Sequence, residues 1–132
     1  MSTRANIIIK DGDDKLFFYR HSDGYPEGVM PTLKKFLALV KKGKIRDNVG
    51  QAAGWLILLG AMEYQTIKGD LFPEHGKPSY EQDEDKVDKA IKDFSPSDWK
   101  VGAYEPTTCI HDDIEWLYTI DLQKKTLTKE KR

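Results

Sequence analysis

Residues 6–20 have the sequence NIIIKDGDDKLFFYR, and this stretch decides the fold. Two runs of β-branched, apolar and aromatic residues, Asn6–Lys10 and Leu16–Arg20, flank the segment Asp11–Asp14, which is acidic and contains a glycine. The runs favour strands, and aspartate and glycine tolerate the left-handed backbone of a tight turn. The stretch therefore predicts a β-hairpin.

The register of this hairpin sorts its side chains into two faces. With a two-residue loop at Gly12-Asp13, we expect Asn6 to lie opposite Tyr19, and Arg4 opposite His21. One face is nearly apolar and is assigned to the core: Ala5, Ile7, Ile9, Leu16 and Phe18. The other face carries an arginine, an amide, a phenol and an imidazole, which supply many of the donors that a phosphate or carboxylate ligand needs. The alternative is a solvated outer face of the sheet.

Helices are predicted in the middle of the chain. After Pro31, apolar residues follow the i, i+3, i+4, i+7 pattern of a first helix that ends near Gly43: Leu33, Phe36, Leu37 and Val40. A second helix is predicted from about Val49 to Tyr64, and its largely apolar sequence indicates a central, buried position. Residues 81–94 combine acids and lysines with apolar residues at helical spacing, which predicts a short third helix.

The C-terminal residues change to an alternation with a period of two. Strands are predicted at Tyr104–Ile110, where Pro106 suits a sheet edge, and at Ile114–Ile120. A last short strand is expected near Thr126–Thr128, followed by a frayed tail at residues 129–132. The fold class is therefore α+β, with an antiparallel sheet of the N-terminal hairpin and the C-terminal strands packed on two to three helices.

The length and composition limit the classes of protein. A chain of 132 residues is expected to form a single domain, residues 1–132. The net charge of -1 gives no overall attraction to nucleic acid or anionic lipid, so neither is expected as a partner. Cys109 is the one cysteine, which excludes a disulfide framework within the chain. The N-terminal residues lack an apolar signal peptide, and no apolar run is long enough to span a membrane, so we expect a cytoplasmic protein.

Arg20 is the charged residue on the core side of its strand. It either pairs at the rim with an acid such as Asp23 or Glu27, or it reaches into a pocket. A separate candidate is the loop Asp23–Gly28, because its backbone N–H groups and the following helix dipole suit an anion. Tyr25, together with the hairpin tyrosine, offers a stacking surface for a base. The alternative is a shaped strand-to-helix connection.

A metal site and a nucleophile are both poorly supported. One conceivable group of metal ligands combines residues from two hairpin ends, which would have to meet in space. Its members are His21, Asp23, His111, Asp112 and Asp113. No local spacing typical of metal ligands supports it, and Asp112-Asp113 is explained as turn chemistry. Ser22 and Cys109 lie in no recognisable nucleophile motif. We therefore expect no metal, no other cofactor and no catalytic residue.

A cationic run surrounds the end of the predicted first helix. No acid occurs from residue 28 to residue 46. Six basic residues of this stretch give it a local charge of +6: Lys34, Lys35, Lys41, Lys42, Lys44 and Arg46. Such a run suits an acidic partner or nucleic acid. Because the lysines lie mostly opposite the apolar positions of the helix, we interpret it as a solvated face.

Three short stretches occur together in this chain. Ser2–Arg4 precede Tyr19–Gly28, which reads YRHSDGYPEG, and Ile110–Trp116 reads IHDDIEW. These stretches resemble an uncharacterised family of small proteins encoded by phages, prophages and plasmids, in which the last stretch reads IHGDIEY. Asp112 and Trp116 depart from that pattern. The resemblance implies a mobile-element setting, in which small proteins block host defence by binding a protein or sequestering a signalling nucleotide.

The residues favour a non-enzymatic binding protein, and the resemblance implies that it is of phage or mobile-element type and acts as a counter-defence inhibitor. Its expected partner is a host protein or a small anionic, nucleotide-like ligand. Its expected binding residues are Arg4, Asn6, Tyr19, Arg20, His21, Asp23, Tyr25 and His111. One alternative is a metal-assisted phosphoester hydrolase that uses His21, Asp23, His111 and Asp113. Another is a structural accessory protein that forms a homo-oligomer through the open sheet edge near Pro106.

Overall fold

A computed structural model of the protein describes residues 2–68 and 102–132. Two helices and five strands lie within these ranges: β1 (Ala5–Asp11), β2 (Asp14–Arg20), α1 (Pro26–Lys41), α2 (Val49–Lys68), β3 (Glu105–Thr107), β4 (Trp116–Asp121) and β5 (Thr126–Lys131). The predicted helix at residues 81–94 lies outside the described residues.

The five strands form one mixed sheet in the order β3-β2-β1-β4-β5. Three of the four neighbouring pairs are antiparallel, whereas β1 and β4 are parallel. The α+β class is confirmed, but the antiparallel sheet is wrong for the β1–β4 pair. The alternation of side chains reports which residues face the core, and it is the same for both strand directions. A parallel pair also needs a long crossover, which the chain between β1 and β4 provides.

The hairpin has the expected register. Asn6 lies opposite Tyr19 and Ile8 opposite Phe17, and Gly12 adopts the positive φ of 62° that the turn requires. The assigned core face is buried at Ala5, Ile7, Ile9 and Phe18. Leu16 is the exception, because it lies exposed near the hairpin turn. The period of two thus predicts the core face correctly except beside the turn, whereas Asn6, Ile8 and Tyr19 of the opposite face are buried as well.

Both helices pack on the same side of the sheet. α2 lies against β1 and β2, whereas α1 contacts α2 and β5. α1 begins at Pro26, earlier than the predicted Pro31, because Pro26 itself occupies a position in the first turn where the missing N–H costs nothing. The buried face of α1 consists of Val29, Leu33, Phe36, Leu39 and Val40. No helix in the described ranges has both the length and the hydropathy needed to cross a membrane.

The sheet edges differ in length. β3 is a three-residue edge strand that contains Pro106, as expected. β5 extends to Lys131, so residues 129–131 pair with β4 and the predicted fraying is wrong there. The backbone N–H of Arg132 also donates to the Glu115 carbonyl at 2.8 Å. Lys131 Nζ lies 5.9 Å from the centre of the Trp116 ring, a cation–π contact that helps to hold the strand end.

Candidate functional site

Polar side chains gather on the side of the sheet opposite the helices. Tyr19 lies between Asn6 of β1 and Glu105 of β3 in one row across the sheet, and the β3–β4 connection covers this end of the row. We call the following residues the outer-face cluster: Arg4, Tyr19, His21, Glu105, His111 and Asp113. Four of its members are among the binding residues expected from the sequence.

Asp113 is the acceptor at one end of the cluster. Its Oδ2 lies 2.8 Å from Arg4 Nη1 and accepts a hydrogen bond of 2.7 Å from the Tyr19 hydroxyl. The hydrogen bond from Tyr19, followed by that from Arg4, lowers the pKa of Asp113 below its ordinary value. Burial, and then the hydrogen bond to Asp113, raise the pKa of Tyr19. Near neutral pH the carboxylate therefore stays ionised and the phenol stays a donor.

The Tyr19 ring is flanked by two imidazoles. His111 stacks on it with ring centres 4.0 Å apart and an interplanar angle of 18°, and His21 approaches edge-on at 4.5 Å. His21 Nε2 lies 2.7 Å from Glu105 Oε2. His111 Nε2 lies 2.9 Å from the Thr107 hydroxyl oxygen. Each imidazole is thereby fixed by a ring contact and a hydrogen bond, which restricts its rotation.

Asn6 lies beneath the cluster and is fully buried. Its Nδ2 donates to the Phe18 carbonyl at 2.9 Å, and its Oδ1 accepts the backbone N–H of His111 at 2.7 Å. The expected open face is therefore closed at this point, because the β3–β4 connection packs over it. Asn6 attaches that connection to the sheet and does not face solvent.

Arg20 lies on the helix side of the sheet, apart from the outer-face cluster. Its Nη1 is 2.9 Å from Glu63 Oε2, and its Nε donates to the Ser22 carbonyl at 2.8 Å. The Thr32 and Tyr104 hydroxyls donate to the other Glu63 oxygen, the latter at 2.9 Å. The predicted pairing with an acid occurs, although the partner is Glu63 of α2 rather than a residue of the next loop. We call Arg20, Thr32, Glu63 and Tyr104 the buried carboxylate network.

The loop Asp23–Gly28 uses its glycines to pack against the rest of the fold. The Gly24 N–H donates to the Thr3 carbonyl at 2.9 Å, and the Gly24 carbonyl accepts the Tyr118 hydroxyl at 2.6 Å. A Cβ at Gly24 would lie 2.8 Å from the Ala5 Cβ. These contacts match the alternative of a shaped connection. Asp23 and Tyr25 are exposed, whereas the Tyr19 ring is buried, so the two tyrosines do not form one stacking surface.

The structure does not assemble the proposed metal constellation. Residues 2–68 and 102–132 contain no group of three or more His, Cys, Asp or Glu side chains arranged for a metal ion. His21, His111 and Asp113 instead face Glu105, Thr107 and Arg4, respectively. The hydrolase alternative therefore lacks its metal-binding group.

Two acids that organise these sites were not predicted from the sequence. Glu105 precedes Pro106, and the period of an edge strand places the two on opposite faces, but no local pattern identifies the neighbouring strand. Glu63 stands out as an acid that follows the apolar run Trp55–Met62, which is a signal for a partly buried charge that needs a partner. That signal alone does not reveal Arg20 as the partner.

The three stretches that carry the family resemblance meet in space. The Gly24 N–H binds the Thr3 carbonyl, the Glu115 N–H donates to the Arg4 carbonyl at 2.8 Å, and the Arg4 side chain pairs with Asp113. Comparison of the chain with protein-family models, curated proteins and solved structures finds no match.

Proposed function

We propose that this chain is a non-enzymatic binding protein and that the outer-face cluster is its recognition surface for another protein. The observation that carries the proposal is a set of charged and polar side chains, each about half exposed, held in fixed pairs around the Tyr19 ring. The side-chain exposures are 47% for Arg4, 45% for Asp113, and 56% each for His21 and Glu105.

The stability of the fold does not account for this arrangement. An exposed ion pair contributes about 0–1 kcal/mol to the free energy of unfolding. The cluster is nevertheless held in place by the stack of Tyr19 on His111 and by the Asn6 hydrogen bonds below it. Side chains that are already fixed lose little conformational entropy on binding, so a partner gains more from each contact.

The charges favour a protein over a nucleotide-like ligand. Arg4 is already paired with Asp113, and His21 faces the Glu105 carboxylate. A phosphate group would meet both carboxylates and would have to compete with Asp113 for the guanidinium. A protein surface that alternates acidic and basic groups matches the cluster without that competition. The mobile-element resemblance supports a host defence protein as the partner, and an inhibitor as the role of this chain.

Self-association through the β3 edge is a weaker alternative. β3 spans three residues, and Pro106 lacks the N–H that a paired strand would use. Light scattering of the purified protein tests this alternative, and a concentration-independent monomer mass would exclude it.

The test is a capture experiment with matched variants. Immobilised wild-type protein, the Arg4→Ala/His21→Ala variant and a Lys15→Ala/Lys124→Ala control are incubated with host lysate, and the retained proteins are quantified. The same partner should be retained in stoichiometric amounts by the wild type and the control, and should be absent from the cluster variant. Equal retention by all three would remove this surface from the proposal.

Calorimetry then separates the two ligand classes. Heat on titration with the purified partner, reduced by Arg4→Ala, supports the protein proposal. Heat on titration with cyclic or ADP-ribose-type nucleotides that disappears in Arg4→Ala would instead favour the small-ligand interpretation and overturn the proposed one.

A further inference from the structure

The fold brings two cationic segments together at the β5 edge of the sheet. In and after α1, five basic side chains are exposed: Lys34, Lys41, Lys42, Lys44 and Arg46. Within residues 2–68 and 102–132, none of these five forms an ion pair. From the sequence, this run is seen alone and is interpreted as a solvated helix face.

The second cationic segment is β5. Leu127 packs against the core on the helix side of the sheet, and by the alternation of the strand Lys129 and Lys131 lie on that same side. Both lysines are exposed. Because α1 contacts β5, the lysines of the strand and those of the helix share one side of the molecule. These segments are far apart in sequence, and the topology joins them.

Among the described residues, cations outnumber acids on this surface. Glu27 and Asp47 border it, and Glu27 acts electrostatically on Tyr118, which lies opposite Lys129. No Asp or Glu occurs from residue 28 to residue 46, and Glu130 alternates to the opposite side of the sheet, in register with Leu117. The described residues of this surface therefore carry an excess of positive charge, although the whole chain has a net charge of -1. The expectation that nucleic acid is not a partner rests on the whole-chain charge, which does not describe this local surface.

We propose that this cationic surface binds the phosphate backbone of double-stranded nucleic acid without reading its sequence. Six of its seven cations are lysines, which act as compact point charges on phosphates and are depleted from protein–protein interfaces. Trp116 is partly buried and lies beneath the Lys131 ammonium, so it is not open for base stacking, which binding of single strands uses. A duplex is therefore the better match.

The surface is separate from the outer-face cluster, because the two lie on opposite sides of the sheet. A protein held on a duplex by its helix side would present the cluster to a second partner. The proposal does not depend on the proposed function, and either can fail alone.

The experiment is fluorescence anisotropy of the full-length chain with a labelled DNA duplex of random sequence, about 20 base pairs long, at about 50 mM salt. We expect a Kd in the micromolar range, within about 10⁻⁶–10⁻⁴ M, that weakens as salt is added. Lys41→Glu/Lys44→Glu and Lys129→Glu/Lys131→Glu should each weaken binding about tenfold. Each should also reduce the slope of log K against log salt by about 1 for every phosphate that is no longer neutralised.

A charge-matched control is Lys15→Glu/Lys124→Glu, which makes the same change in net charge near the hairpin turn and the β4–β5 turn. It should bind almost as tightly as the wild type. Circular dichroism checks that all variants fold. No binding at low salt, an equal weakening in the control, or tighter binding of a single strand would each overturn the proposal. So would tighter binding of polyglutamate, which would identify an acidic protein as the partner class.

Discussion

The two sides of the sheet carry the same chemical arrangement in opposite surroundings. On the outer face, Asp113 accepts a hydrogen bond from Tyr19 and pairs with Arg4. On the helix side, Glu63 accepts a hydrogen bond from Tyr104 and pairs with Arg20. Each set is an arginine, an acid and a tyrosine brought together from distant parts of the chain. The difference between them is burial.

Burial gives the two sets different roles. Tyr104 is fully buried and Arg20 nearly so, and burial together with Glu63 raises the pKa of Tyr104 far above its ordinary value. Removing one partner of a buried pair leaves a charge that water cannot solvate. On the outer face, water replaces any partner that Arg4 loses. We therefore expect the buried carboxylate network to hold α2 against β2, and the outer-face cluster to be available for recognition.

The largest expected effect is that of Glu63→Ala. This change removes the carboxylate that pairs with Arg20 and accepts hydrogen bonds from two hydroxyls, and should lower the free energy of unfolding by about 3–5 kcal/mol. Asp113→Ala makes the equivalent change on the outer face and should cost no more than about 1 kcal/mol. Urea denaturation of both variants measures the difference, and equal destabilisation would contradict the comparison.

A double variant separates the electrostatic contribution of the Arg20–Glu63 pair from the contribution of packing around it. Arg20→Met/Glu63→Leu replaces both charges by apolar side chains of similar length. We expect it to recover most of the stability that Glu63→Ala removes, because both charges of the pair are removed together. If the double variant is as unstable as the single one, packing or the two hydroxyls, rather than the charge, determine the destabilisation.

An intermediate effect is expected at Asn6, the buried residue beneath the exposed cluster. Asn6→Ala removes the hydrogen bond that attaches the β3–β4 connection, together with the hydrogen bond to the Phe18 carbonyl of β2, and should cost about 2 kcal/mol. Amide hydrogen exchange should accelerate at His111, whose N–H loses its acceptor.

The control is the same substitution at an exposed site. Asn48 accepts hydrogen bonds from the first N–H groups of α2, at 3.1 Å and 3.3 Å. Asn48→Ala should cost about 1 kcal/mol, and it should leave exchange at His111 unchanged. Faster exchange at His111 in both variants would mean global rather than local opening.

How much of this could be predicted depends on the distance between partners in the sequence. The hairpin register and the faces of Ile7 and Tyr19 follow from a short turn and a period of two, which are local properties. The burial of Asn6 could not be predicted, because its cover comes from the connection that contains His111, more than 100 residues away. The partner of Arg20 was missed for the same reason. The position of β4 beside β1, parallel to it, is set by the path of the chain.

The smallest expected effect is a shift in the pKa of Asp113. Its pKa is lowered by the hydrogen bond from Tyr19 and by the hydrogen bond and the charge of Arg4, so Tyr19→Phe and Arg4→Ala should each raise it toward the ordinary value. Since folding lowers this pKa, the pair stabilises the native state above the ordinary carboxyl pKa and loses that contribution as the pH falls through the lowered value. Carboxyl titration by NMR measures each shift. The pKa of Asp121 is also lowered, mainly by the Lys124 N–H, and it should be the same in both variants. No shift in Tyr19→Phe would mean that the arginine, and not the buried phenol, lowers the pKa of this carboxyl.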